Sequence, residues 1–287
     1  MKTWADCSEK LIKPKIMGIL NATPDSFYSP SRVNLAQGIE QALEMESHGA
    51  DCIDIGGEST RPGAHYVDES DELERIIPLI QGIRKHSSIP ISVDTRKYVV
   101  AQEAIQSGAN YINDVSALED DPRLEAFVIK EKLPVFLMHK QGTPEIMQLQ
   151  PVYADVVREV IDYLRRRAES LISLGHPPEL IYLDPGIGFG KTYDHNTQLL
   201  AGLNQIVVET KDICAGLLLG YSRKGFLGTM LTSPEGHARP VEDRLYGGLA
   251  VGIWAVSQGV LWLRVHEVKP LHDAIQVWWA IQTQRLG

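Results

Sequence analysis

Cysteine is scarce: Cys7, Cys52 and Cys214 are the only three in 287 residues. An odd, widely spaced set makes no disulfide framework, and no Cys-x-x-Cys pair offers a zinc site. A reducing, cytoplasmic setting is therefore expected. Basic charge is also in short supply, with 28 Lys and Arg against 37 Asp and Glu and a formal net charge of −9. That balance argues against a nucleic-acid partner and against an anionic membrane surface, although a local basic cluster can still take an anionic small molecule. The opening MKTWADCSEKLIKPK has no apolar core of the kind a signal peptide needs, so none is expected.

One run, Leu245 to Leu263, carries no formal charge and meets the length of a membrane span. Gly259 divides it into a helix-like LYGGLAVGIWAVSQ and a β-branched VLWLRVH, with Ser257 and Gln258 inside. The expectation is a buried helix followed by a buried strand, and no membrane partner. Also missing are a Ser-His-Asp order, a His-Glu-x-x-His helix and a close carboxylate pair. No linker, low-complexity tract or shift in composition marks a second domain. A single domain over 1–287 is expected, its core covering about 15–286.

What is present is an alternation. Short apolar runs end in polar or glycine residues, and a longer amphipathic segment follows each. Eight runs read as strands: IMGILN (16–21), DCIDIGG (51–57), PISVDT (90–95), NYINDV (110–115), PVFLMH (134–139), IYLDPG (181–186), GLLLGYS (216–222) and VLWLRVH (260–266). They are apolar throughout, as strands of a parallel sheet covered on both faces are. Segments such as LAQGIEQALEMESHGA, RKYVVAQEAIQSGAN and DVVREVIDYLRRRAESLISLG read as helices, several stopped by glycine. Eight βα units in about 270 residues predict a single-domain (β/α)8 TIM barrel, with an active site at the C-terminal ends of the strands; a doubly wound sheet is the second choice.

The strand ends are all polar: Asn21; Gly56, Gly57 and Glu58; Asp94; Asn113 and Asp114; His139; Asp184; Ser222, Arg223 and Lys224; Arg264 and His266. Any one could be a helix cap, but in a barrel all eight converge on one mouth. Lys224, Arg264 and His266 offer a place for an anion, or ion pairs with neighbouring acids. Asp94, Asn113 and Asp184 offer acceptors and an amide to a nitrogen-rich heterocycle. His139 has no metal-ligand spacing around it and reads as structural or pocket-lining. The segments NATPDSFYSPSRVN and GGESTRPGAHYVDES read as long loops over the mouth. DPGIGFGKT, residues 184–192, resembles a nucleotide loop but fails both the P-loop and the dinucleotide spacing; its glycines are expected to turn the backbone and leave room for a flat ring.

MGILNATPDSF, DIGGESTRPGA, SVDTRK, NDVS, LMHKQGTP, LDPGIGFGKT, GYSRK and RVHEV occur in this order at the strand ends, and with them the chain closely resembles the dihydropteroate synthases, over about Lys15 to Leu286. The resemblance implies a cytoplasmic transferase of folate biosynthesis. Such enzymes join 6-hydroxymethyl-7,8-dihydropterin diphosphate to 4-aminobenzoate, require magnesium (Mg2+), are inhibited by sulfonamides and are commonly homodimers. It implies that Asn21 helps to hold the metal and the diphosphate, and that Thr60 contacts the pterin diphosphate. Asp94, Asn113, Asp184 and Lys224 would bind the pterin, and Arg264 and His266 the pyrophosphate. Asp25, Phe27 and Arg61 would close loops around the aminobenzoate. Of these, Asp94, Asp184, Lys224, Arg264 and His266 are the expected catalytic set.

The chain departs from the usual pattern at Ala22, over Tyr28 to Arg32, at Lys140 and at Gly225, where the family usually carries serine. Two other readings share the pterin-facing Asp and Asn: a barrel passing a methyl group from a reduced folate to a corrinoid, and a catalytically silent pterin-binding paralogue. The former has little use for the cations of strands seven and eight. The nearly all-apolar LYGGLAVGIWAVSQ helix is the expected face for self-association.

Overall fold

The computed structural model describes residues 12–22, 32–59, 64, 66–142, 147 and 151–284, with the side chains of 32–34 left out. The strands are β1 (Lys15–Asn21), β2 (Cys52–Gly56), β3 (Ile91–Asp94), β4 (Tyr111–Asp114), β5 (Val135–Met138), β6 (Ile181–Asp184), β7 (Gly216–Gly220) and β8 (Trp262–Val265). All pair in parallel with their neighbours in chain order, and β1 pairs with β8, which closes the barrel. The helices are α1 (Arg32–Ser47), α2 (Glu69–Arg84), α3 (Tyr98–Gln106), α4 (Pro122–Glu131), α5 (Val156–Ser173), α6 (Tyr193–Ala201), α7 (Leu203–Thr210), α8 (Gly225–Met230), α9 (Leu245–Ser257) and α10 (Val268–Gln284). This is the expected (β/α)8 barrel. It is formed from one pattern repeated: a strand buried on both faces, then a helix with one apolar stripe.

Local chemistry starts and stops these elements. Asp155 caps α5 by accepting from the N–H groups of Val157 and Arg158. Val160, Ile161, Leu164, Ala168 and Leu171 then fall on one buried face, at helical spacing. Asp121 caps α4 just before Pro122, which fits the first turn because its missing N–H would have had no partner there. Thr192 and His195 cap α6 reciprocally. The uncharged run resolves as expected into α9 and β8, with Gly259 at φ 94 making the turn between them. No helix among the described residues is long and apolar enough to cross a membrane.

The strands carry two cores. Outward positions such as Ile53, Ile55, Val93, Leu137, Leu183 and Leu263 are buried beneath the helices. Inside the barrel, Met17, Cys52, Phe136, Leu218 and Trp262 form a separate cluster joined by Tyr111 and Tyr182. Phe136 stacks on Tyr182 at 4.8 Å, and Trp262 meets Phe136 edge-on at 5.9 Å. Tyr111, Tyr182 and Trp262 lie at or next to the first residue of their strands, so this aromatic plug fills the N-terminal end of the barrel.

Candidate active site

Side chains alternate between the two faces of a strand. On four of the strands the inward position two residues beyond the plug is polar: Asn113 follows Tyr111, Asp184 follows Tyr182, and Arg264 follows Trp262. On β2, Asp54 follows Cys52. Strand register sets Gly56, Asp94 and Asn113 side by side across β2, β3 and β4. A polar layer thus sits on the aromatic plug, at the end where barrel enzymes do their chemistry.

Arg264 is the hub of this layer. Its Nε donates to Asp54 Oδ2 at 2.5 Å and its Nη2 to Asp94 Oδ2 at 2.7 Å. Strands β8 and β3 are not neighbours, so the second contact crosses the barrel interior. Asn113 Nδ2 donates to the same Asp54 oxygen at 3.2 Å. Burial alone would weaken the Arg264 charge, but Asp54 and Asp94 outweigh it and hold the guanidinium protonated. Burial lifts the Asp94 carboxyl well above the usual range; Arg264 opposes the rise, and Asp54 and Glu72 add to it. The cation expected to grip an anion is therefore engaged by two carboxylates that the sequence does not show to be close.

Asp184 and Lys224 form the other wall. The Asp184 carboxyl is raised by burial, against the pull of Lys224, the Gly186 N–H and Arg264. Its Oδ1 accepts from Gly186 N–H at 2.8 Å, and its Oδ2 takes no hydrogen bond among the described residues. That oxygen faces Gly220, where an added Cβ would stand 3.7 Å from it and 3.9 Å from Arg264. Burial lowers the Lys224 amine to about 8; Asp184 resists and Arg264 reinforces the shift. Lys224 Nζ donates to the Ile187 carbonyl and lies 4.5 Å over the Phe189 ring.

The 184–192 loop turns sharply, as its glycines predict. At Gly186, φ is 68 and a Cβ would fall 1.8 Å from the His139 carbonyl oxygen, so only glycine fits. Gly188 N–H donates to Asn196 Oδ1 at 2.7 Å, and Tyr153 Oη donates to the Gly190 carbonyl at 2.9 Å. Lys191 turns inward, and its Nζ lies 2.9 Å from His139 Nδ1.

The structure therefore brings Asp94, Asn113, Asp184, Lys224 and Arg264 together. His266, just past β8, has its Nδ1 3.0 Å from Ser222 Oγ, and that hydroxyl donates to Glu267 at 3.1 Å. Asn21 ends β1 half-exposed. Asp25, Phe27, Thr60 and Arg61 lie outside the described residues. Asp114, inseparable from Asn113 in the sequence, faces outward, where it closes the 114–118 turn by accepting from Ser116 and Leu118. Two buried residues escaped the sequence reading. Asp54 lies mid-strand rather than at a strand end, though counting back by two from Gly56 finds it. Lys191 lies in the 184–192 loop, and nothing in the sequence shows it turning inward.

Magnesium favours oxygen ligands and, where a substrate supplies phosphate oxygens, takes few from the protein. No group of three or more metal-ligating side chains occurs among the described residues. The Asn21 amide makes no hydrogen bond among them either. One amide oxygen at the mouth fits an ion held mainly by a diphosphate, rather than one in an all-protein cage.

Residues 17–266 match the family model described as "Pterin binding enzyme". The chain is 41% identical over 268 residues to dihydropteroate synthase of Haemophilus influenzae, covering 93% of this chain and 94% of that protein. It is 42% identical over 279 residues to the Escherichia coli K12 enzyme, covering 96% and 95%. A structure of Yersinia pestis dihydropteroate synthase with a sulfonamide drug superposes with a TM-score of 0.86 at 38% identity, over 98% of this chain and 99% of that one. The Xanthomonas albilineans enzyme with 7,8-dihydropteroate superposes at 0.82 and 36% identity, over 96% and 95%. The chain belongs to the dihydropteroate synthase family of pterin-binding enzymes.

Proposed function

We propose that the protein condenses 6-hydroxymethyl-7,8-dihydropterin diphosphate with 4-aminobenzoate, giving 7,8-dihydropteroate and pyrophosphate. The observation that carries this is the two-sided mouth. Asp184 and Asn113 present an acceptor and an amide to a heterocycle, with Lys224 as a second contact, and Arg264 stands beside them for the leaving group. The family relationship supports the same substrates.

The chemistry needs no enzyme nucleophile. The bond from the exocyclic methylene carbon to the diphosphate oxygen breaks, and its electron pair leaves with pyrophosphate. The arylamine then attacks the carbon and loses a proton. The free Asp184 oxygen would accept from the pterin and favour positive charge on it. Lys224 would add a second contact to the pterin, and Arg264 and His266 would stabilise the charge developing on the leaving group. For Arg264 to do so, diphosphate must compete with Asp54 and Asp94, whose raised carboxyl makes Asp94 the easier partner to displace. Asn21 would help to hold magnesium, which when bound neutralises diphosphate charge.

Thr60 would contact the pterin diphosphate, and Asp25, Phe27 and Arg61 would frame the aminobenzoate. A cytoplasmic location follows from the same reading. So does a homodimer formed through α9 and α10, where Tyr246 is 82% exposed, Trp254 46% and Val277 63%. A dimer mass by light scattering at micromolar concentration is expected, and a monomer refutes the pairing. The deciding assay is pyrophosphate release with both substrates present and with aminobenzoate omitted. Release that requires both is expected; methyl transfer to a corrinoid, or no release, overturns the function.

A further inference from the structure

Lys191 is 2% exposed, yet among the described residues no carboxylate touches its amine. Its partners are neutral: the Phe189 carbonyl at 3.0 Å, His139 Nδ1 at 2.9 Å and the His139 carbonyl at 3.4 Å. A lysine amine buried on neutral acceptors is costly, charged or not, so its place there calls for a reason. The geometry supplies one. Lys191 ends the run that Asp184 begins, and both ends bear on one residue. His139 N–H donates to the Asp184 carbonyl at 3.0 Å, Gly186 presses on the His139 carbonyl, and Lys191 reaches back to the His139 ring.

We propose that Lys191 is a positioning residue for the pterin: its tie to His139 fixes the 184–191 loop so that the free Asp184 oxygen faces the ring. This rests on the function proposed above. The ring is suited to the task. Accepting from an ammonium at Nδ1 places the proton of a neutral imidazole on Nε2. Burial, aided by the Lys191 charge, keeps the ring neutral by lowering it to about 3. Tyr163 packs edge-on against the ring at 5.0 Å and Tyr153 lies 6.0 Å from it. Burial lowers the Lys191 amine to about 7; of the charged groups facing it from elsewhere, Asp184 supports its proton and Lys224 opposes it.

The test compares Lys191→Met, His139→Phe and His139→Asn. Methionine keeps the length without the donor, phenylalanine keeps a ring without the acceptor, and asparagine places an oxygen where Nδ1 stood. A lost hydrogen bond to a charged group should raise the KM for pterin diphosphate at least about tenfold in Lys191→Met and His139→Phe. His139→Asn should restore most of that loss, and the KM for aminobenzoate should stay within about twofold throughout. A folded Lys191→Met with wild-type pterin KM overturns the proposal. So do two KM values that rise together, or an asparagine variant as impaired as the phenylalanine one. Should Lys191→Met fail to fold, the two His139 variants carry the comparison. If the wild-type chain releases no pyrophosphate, the function fails by itself, and fluorescence binding of pterin-6-carboxylate still reads the same contrast. Failure of the wild-type chain to bind that probe overturns both.

Discussion

Replacing Asp54 with alanine or with asparagine should separate the structural and electrostatic parts of the polar layer. Among the described residues, both side-chain bonds that Asp54 accepts, from Arg264 and from Asn113, end on the same oxygen, Oδ2, and the buried Oδ1 has no partner. Asp54→Ala removes the acceptor altogether. It strands the Asn113 amide and leaves Arg264 with Asp94 alone. Breaking a buried ion pair costs about 3–5 kcal/mol, and the surviving Asp94 contact puts this case near the lower figure. For a chain of this size about 3 kcal/mol lowers the thermal midpoint by roughly 5 °C.

Asp54→Asn can keep both bonds through its amide oxygen, with its NH2 where Oδ1 stood. Its stability loss should be well under that of alanine. What it does remove is the charge that helps to hold the Asp94 carboxyl high. A group raised by a neighbouring negative charge titrates lower when that charge goes, so the acid limb of kcat/KM for pterin diphosphate should move to lower pH. Thermal melts and a pH–rate profile of the two variants decide the matter. Equal melts for alanine and asparagine, or an acid limb that stays in place in Asp54→Asn, would refute the assignment of Asp54 as the shared partner of Arg264 and Asn113.

Three further outcomes are expected. Asp184→Asn should lower kcat/KM by roughly 10²- to 10³-fold, the loss typical of a group stabilising transition-state charge, while melting near or above wild type because a buried carboxylate has gone; wild-type turnover would remove Asp184 from its role. Gly186→Ala should destabilise by at least about 2 kcal/mol, from a positive φ and a Cβ driven into the His139 carbonyl; an unchanged denaturant midpoint would contradict the loop geometry. Gly225 opens α8 with nothing within 4 Å of an added Cβ, and a serine there would offer its hydroxyl to the aminobenzoate carboxylate, so Gly225→Ser should fold normally and lower the KM for aminobenzoate; a higher KM would show that the hydroxyl makes no such contact in this chain.

The fold was legible because its grammar repeats: an apolar strand, a polar end, an amphipathic helix and a stop. The site was legible in part, because Asp94, Asn113, Asp184 and Arg264 fall where a strand runs out of apolar residues. What escaped shares a physical cause. Asp54 hides mid-strand among CIDIG, where attention to strand ends misses a residue that period-two counting would find. Lys191 is one of several polar residues near a glycine loop, and only the folded backbone shows which way it turns. Arg264 was recognisable as a cation that needs a partner, but choosing between a bound anion and the carboxylates of β2 and β3 requires the closed barrel. Asn113 and Asp114 are adjacent and chemically alike, and it is the alternation of the strand that sends one to the pocket and the other to a turn.

The aromatic plug has a consequence for traffic. Phe136, Tyr182 and Trp262 close the barrel from below, so the polar layer is the floor of a vessel reached from the C-terminal ends of the strands. Whatever settles on that floor must arrive before anything that lies above it. A pterin seated against Asp184 would therefore enter ahead of the arylamine, and the joined product would block the way for the next pterin until it left. Turnover in such a vessel would be a queue, and an arylamine mimic would be a stopper whose hold depends on the pterin already beneath it.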